Sequence, residues 1–136
     1  MSVKRTIRGC CAGAAAALLI VVSACSAAPE RADLVDAATR FVAASPGEAC
    51  DLLAPDTRAA LERRTGVSCA RALADRGLPT STTVEGVEVA GQSGQVRLDG
   101  QVLFLARFPD GWRVTAAGCR RGDPDPAVPY ECVVEP

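Results

Sequence analysis

Four cysteines, Cys50, Cys69, Cys119 and Cys132, run through a chain that contains no histidine. An even number of thiols in a small exported domain reads as disulfides, and two such bonds limit which segments can be neighbours more than any other feature here. Four cysteines allow three pairings. The pairing Cys50–Cys69 with Cys119–Cys132 is favoured, because the patterns below put the first pair in a helical half and the second in a strand half. The other two pairings stay open. Each closed loop should stabilise the fold by roughly 3 kcal/mol in the chain-entropy picture. A structural zinc is the rival reading. It is disfavoured by the wide spacing, the lack of any C-x-x-C and the lack of histidine, so no metal and no cofactor are expected.

Export is suggested by the first 25 residues. Lys4, Arg5 and Arg8 form a positive start, and residues 12–22 ("AGAAAALLIVV") an uncharged apolar stretch. That stretch fits the roughly 7–15 residues of a signal-peptide core and falls short of the about 20 needed to span a bilayer. It ends in Val22-Ser23-Ala24-Cys25. The tetrapeptide resembles the lipobox of bacterial lipoproteins: an aliphatic residue, two small residues that fit a protease groove, then a nucleophilic thiol. The resemblance implies diacylglycerol on Cys25 and cleavage before it, hence a lipid anchor on the extracytoplasmic face of the cell membrane. An ordinary signal cut at an A-x-A-like site is the alternative. Cys10 and Cys11 would leave with the signal.

Removal of residues 1–24 would leave 112 residues with 12 arginines against 16 acids, a formal charge of −4, and no lysine. That length suits one domain. An acidic domain without a basic cluster is a poor nucleic-acid ligand, so no nucleic acid is expected, and its anchoring would come from lipid rather than polybasic attraction. Residues 25–30 read as the lipidated cysteine and a short tether, and residues 31–136 as a single α+β domain.

Within residues 31–44, Leu34, Val35, Ala38, Phe41 and Val42 form one apolar helix face, with Asp36 and Arg40 paired on the other side. "SPGE" at 45–48 supplies an N-cap, a proline and a capping-box glutamate. Pro55 should stop that helix, Asp56 should cap a third and Gly66 should end it. Ser68 should open a fourth short helix that Gly77 terminates. From residue 78 the pattern becomes alternating and β-branched: Val87 and Val89, then Val96 and Leu98. Asp99-Gly100 marks a hairpin. In "QVLFLARF", Val102, Phe104, Ala106 and Phe108 share one face while Leu103 and Leu105 share the other, so this strand should be central. Pro109-Asp110-Gly111 should turn into a fourth strand carrying Trp112, Val114 and Ala116. Residues 120–129 are too rich in Asp and Pro for regular structure, and "PYECVVE" should add an edge strand pinned by Cys132.

Helices first and a meander after is an α+β architecture with helices packed on a curved antiparallel sheet. With "CDLLAP", "GWRVTAAGC" and "PYEC", the order resembles small secreted lipoproteins of high-GC Gram-positive bacteria, whose domain is similar to the NTF2-like (cystatin-like) cone. The resemblance implies a cleft between helices and sheet. Enzymes of that cone work through acid–base residues at its mouth. Here the inward positions read as apolar, and the usual neutral-pH base is absent. Asp51 and Asp56 are nearest the helical side, and read more simply as a solvated position and a cap. No catalytic residue is assigned. The expected function is a non-catalytic binding or accessory domain that presents its cleft or sheet face to a protein partner or a second copy. The alternative is a carrier of a small apolar ligand lined by Phe41, Phe104, Phe108 and Trp112. Trp112 reads first as a core residue and second as a stacking residue. A carboxylate-dependent enzyme of the NTF2-like type is the more distant alternative.

Overall fold

In the computed structural model the described residues are 27–136. The signal region, the lipobox and Cys25 lie outside them. Four helices come first: α1 (Ala27–Ala43), α2 (Pro46–Leu52), α3 (Pro55–Thr65) and α4 (Cys69–Arg76). Four strands follow: β1 (Val84–Ala90), β2 (Ser93–Leu98), β3 (Gln101–Phe108) and β4 (Gly111–Cys119). They form one antiparallel meander in the order β1-β2-β3-β4.

The helix ends follow their local chemistry. At Ser45 both the backbone N–H and the hydroxyl donate to Glu48, at 3.0 and 2.6 Å. Gly66 and Gly77 close α3 and α4 in the left-handed region, with φ of 69° and 59°, where a side chain would clash with its own carbonyl.

Two helix starts differ from expectation. Asp56 is not a cap: α3 begins at Pro55 and its N-cap is Ala54. Proline fixes the helical φ and holds the residue before it extended, so it sets the boundary itself. Residues 26–30 were expected to be tether, yet α1 begins at Ala27 and holds Pro29 and Glu30. The first four N–H groups of a helix have no intrahelical partner, so proline there forfeits no bond.

α1 crosses the sheet and touches all four strands, while α2 packs against α4 and α3 against β4. The main core lies between these layers. Leu34, Ala38 and Phe41 of α1 meet Val96, Leu98, Leu103, Leu105 and Val114 of the sheet. A smaller cluster on the opposite face joins Val102, Ala116 and Cys119 to Phe104, Tyr130 and Cys132. β3 is thus interior and covered on both sides, as expected. The helices cover its Leu103 and Leu105 side, not the side of Phe104.

Both disulfides form: Cys50–Cys69 with Cα atoms 6.0 Å apart, and Cys119–Cys132. The first ties α2 to α4. The second ties β4 to the last segment, which makes two isolated antiparallel bridges, Ala117↔Val134 and Arg120↔Glu131, rather than a full strand. A parallel bridge from Leu53 to Val114 covers the other stretch of β4's edge.

Candidate functional site

The Cys50–Cys69 and Cys119–Cys132 bonds aside, the residues singled out for binding do not converge. Phe41 is buried in the main core and touches an apolar groove of about 260 Å³, shared with Val42, Leu73 and Leu78. Phe104 is on the far face of the sheet, its ring 5.2 Å from that of Tyr130 in an edge-on contact. Phe108 and Trp112 line a third place, a pocket of about 270 Å³ between α1 and the β3–β4 turn. No cavity is lined by all four, because the sheet stands between Phe104 and the helices.

The main core occupies the space between helices and sheet. Gly94 shows how closely the layers approach, since a Cβ there would fall 2.6 Å from a Leu34 methyl. The buried polar side chains among the described residues are Thr57 and Gln101, and neither is a carboxylate. Thr57 donates to the Thr115 carbonyl at 2.9 Å, fastening α3 to β4. Gln101 donates to the Pro79 carbonyl at 2.7 Å and accepts from the Gly118 N–H at 3.0 Å. It thereby holds the 77–83 linker against the end of β4. Sequence reasoning missed Gln101, since a glutamine beside a hairpin turn gives no sign of burial.

The pocket at Trp112 is lined by charged side chains. Asp33, Asp36 and Arg40 of α1 reach it from one side, Arg107 and Phe108 of β3 from the other. Arg40 pairs with Asp36 at 2.9 Å, and Arg107 with Glu30 at 3.1 Å. The Arg107 guanidinium lies over the indole of Trp112, 5.1 Å from the ring centroid. Trp112 itself is 7% exposed, and its Nε1 has no hydrogen-bond partner among the described residues. Next to it, Arg113 pairs with Asp110 and donates to the Asp51 carbonyl at 2.7 Å. The hydrogen bond from Arg113 holds the Asp110 carboxyl below its usual range, and the same bond raises the guanidinium. The β3–β4 turn is therefore fixed to the C-terminal end of α2. The sequence did show the Asp36–Arg40 pair, but nothing in it said that this side of α1 would face the turn.

On the far side of the sheet, the tail covers only the β3–β4 half. Tyr130 sits on Phe104, and Arg121 lies 4.5 Å from the Tyr130 ring centroid. The β1–β2 half carries Glu88, Ser93, Gln95 and Arg97, with Arg97 and Glu88 3.5 Å apart. This half is polar, and Glu88, Ser93 and Arg97 on it are exposed. Among the described residues no helix is long and apolar enough to cross a membrane, and no group of acidic, cysteine or histidine side chains is placed to hold a metal ion.

No protein family, curated protein or solved structure matches the chain.

Proposed function

We propose that this chain is a lipid-anchored, extracytoplasmic accessory domain of the NTF2-like type, without catalytic activity, that presents the open half of its sheet to a protein partner. The observation that carries the reading is the asymmetry of the sheet. One face is packed by helices, the β3–β4 half of the other is covered by the tail, and the β1–β2 half is exposed. Its composition of Glu88, Gln95 and Arg97 suits a partner that binds and leaves, since lasting interfaces are more apolar. The lipobox at Val22–Cys25 supplies the anchor. With α1 starting at Ala27, the folded body would be held against the membrane surface with little slack. Two disulfides suit an oxidising compartment.

One observation favours the second reading, a small apolar ligand: the groove beside Phe41, Leu73 and Leu78. At about 260 Å³ it is smaller than the roughly 300–1,000 Å³ of ordinary ligand pockets. It is also a different place from the cone interior that the sequence suggested.

The test is to extract the protein gently from its own host's membranes and record its native mass, then its denatured mass. A lipid mass that survives denaturation and vanishes in Cys25→Ala is the expected result, with no small molecule lost on denaturing. A denatured mass without lipid would overturn the anchor. Loss of a small apolar molecule instead of a protein would favour the carrier reading.

A further inference from the structure

We infer that the end of the sheet carrying the β1–β2 and β3–β4 turns is a membrane-facing surface, kept against the lipid headgroups by the start of α1. This orientation rests on the lipid anchor proposed above and goes beyond it, by assigning which end of the fold meets the bilayer.

Very little chain separates the anchor from the fold. Cys25 lies two residues before Ala27, where α1 begins. A chain advances at most about 3.6 Å per residue, so a lipid on Cys25 is attached within roughly 7 Å of the first helical residue.

The start of α1 lies beside the two turns. Glu30, in its first turn, pairs with Arg107 at 3.1 Å, and Arg31 donates to the Val87 carbonyl at 3.3 Å. Arg107 is the last residue but one of β3, and its backbone N–H donates to the Gln92 carbonyl at 2.9 Å. Gly91 and Gln92 form the β1–β2 turn, Pro109 and Asp110 the β3–β4 turn, and all four residues are exposed. Both turns therefore sit at the anchored end.

From there α1 runs back along the sheet. Leu34 presses on Gly94, and at the other end Phe41 and Ala44 share a groove with Gln101, the first residue of β3. The 17 residues of α1 cover about 25 Å, and the eight residues of β3 cover a similar length, about 26 Å. The Asp99-Gly100 turn is thus the far end of the body. A body tied by one end through so short a link keeps that end nearest the surface, because the bilayer excludes every pose that would carry the fold below its own attachment point.

Charge does not oppose this approach. Arg107 pairs with Glu30 and Arg113 with Asp110, while Arg31 and Asp33 add one charge of each sign. Neither sign is in excess, so an anionic headgroup layer neither repels this end nor draws it in. The short link alone sets the contact. The open half of the sheet then stands upright, with Ser93 beside the bilayer and Arg97 above it. The groove beside Phe41, Leu73 and Leu78 opens away from the lipid.

The full chain, ¹⁵N-labelled in its own host and extracted from the membrane, would be placed in nanodiscs of phosphatidylcholine and phosphatidylglycerol doped with a headgroup-gadolinium lipid. Its denatured mass would be recorded from the same sample. The expected result is a lipid mass, with amide relaxation enhanced at Gln92 and Asp110 about tenfold or more above Asp99 and Thr80, given the roughly 25 Å between the two ends. A lipid mass with Asp99 enhanced as much as Gln92 overturns the orientation and leaves the anchor standing. A denatured mass without lipid overturns both. Inserting about ten Gly/Ser residues after Ser26 adds a flexible span of roughly 17 Å and should cut the difference between the ends to about threefold or less. A difference that persists undiminished in that variant would show that this end adheres to lipid by itself, and would overturn the short link as its cause.

Discussion

Gly94 carries more of the packing than its size suggests. It lies on the helix side of β2, opposite Val89 and Leu105 in the sheet register, with Leu34 of α1 pressed onto it. An added Cβ would sit 2.6 and 2.7 Å from the two Leu34 methyls, and Leu34 is fully buried. The backbone of Gly94 is not left-handed, so the whole penalty of alanine there is steric. Gly94→Ala should destabilise the protein by about 1–3 kcal/mol, the usual range for overpacking. Urea unfolding would show it as a lower midpoint at unchanged slope. Pairing the variant with Leu34→Val should recover part of the loss, and an unchanged midpoint in Gly94→Ala would refute the contact. The sequence offered no hint of this. In "SGQVRL" a glycine reads as a break in a strand, and only the helix on the other layer gives it a purpose.

At the scale of elements, α2 shows how well local chemistry can be read. The Ser45–Glu48 capping box was visible as four letters, because both partners lie within one turn. The bond from the Ser45 hydroxyl, and then that from its backbone N–H, hold the Glu48 carboxyl below its usual range. A carboxylate with a depressed folded-state pKa adds stability above its unfolded pKa. That contribution fades as the pH falls through the folded value. Glu48→Gln should therefore melt lower than the parent at neutral pH, with the gap closing as both are acidified below the ordinary glutamate range. A gap that stays constant into acid would mean that shape, not charge, makes the cap. The strands were legible in order and turns, since Asp99-Gly100 and Gly111 mark their ends. Which side of β3 faces the helices was not legible. Both of its faces are apolar, so alternation separates Leu103 and Leu105 from Phe104 without saying which pair the helices cover. That ambiguity placed Phe104 with Phe41 in one imagined cavity. Similarly, Asp56 looked like a cap until the bridge from Leu53 to Val114 fixed where the chain before Pro55 must run.

Across the whole molecule, the two disulfides close loops of similar length, with sequence separations of 19 and 13. Chain entropy alone assigns them nearly equal effects, roughly 3 kcal/mol each. Their surroundings differ. Cys50 and Cys69 are both buried in the main core, where α2 and α4 meet. Cys119 is buried and Cys132 half-buried on the far face, at the start of a tail that the backbone holds through two isolated bridges and the buried Val134. Its other ties, the Tyr130–Phe104 contact and the hydrogen bonds from Arg64 to the Glu135 and Pro136 carbonyls, lie at the surface, so the segment can open by itself, below the cost of global unfolding. In Cys50→Ala/Cys69→Ala, native-state hydrogen exchange should therefore quicken for the slowest amides of β3, those that open only on global unfolding. In Cys119→Ala/Cys132→Ala, the amides of Arg120 and Glu131, which bond to each other's carbonyls at 2.9 Å, should exchange far faster, with those of β3 changed less. Freeing the tail would also lift Tyr130 from Phe104 and extend the open sheet face across β3. Equal acceleration of β3 in both variants would show instead that the tail unfolds with the core as one unit, and that the boundary of the open face is fixed for as long as the protein is folded.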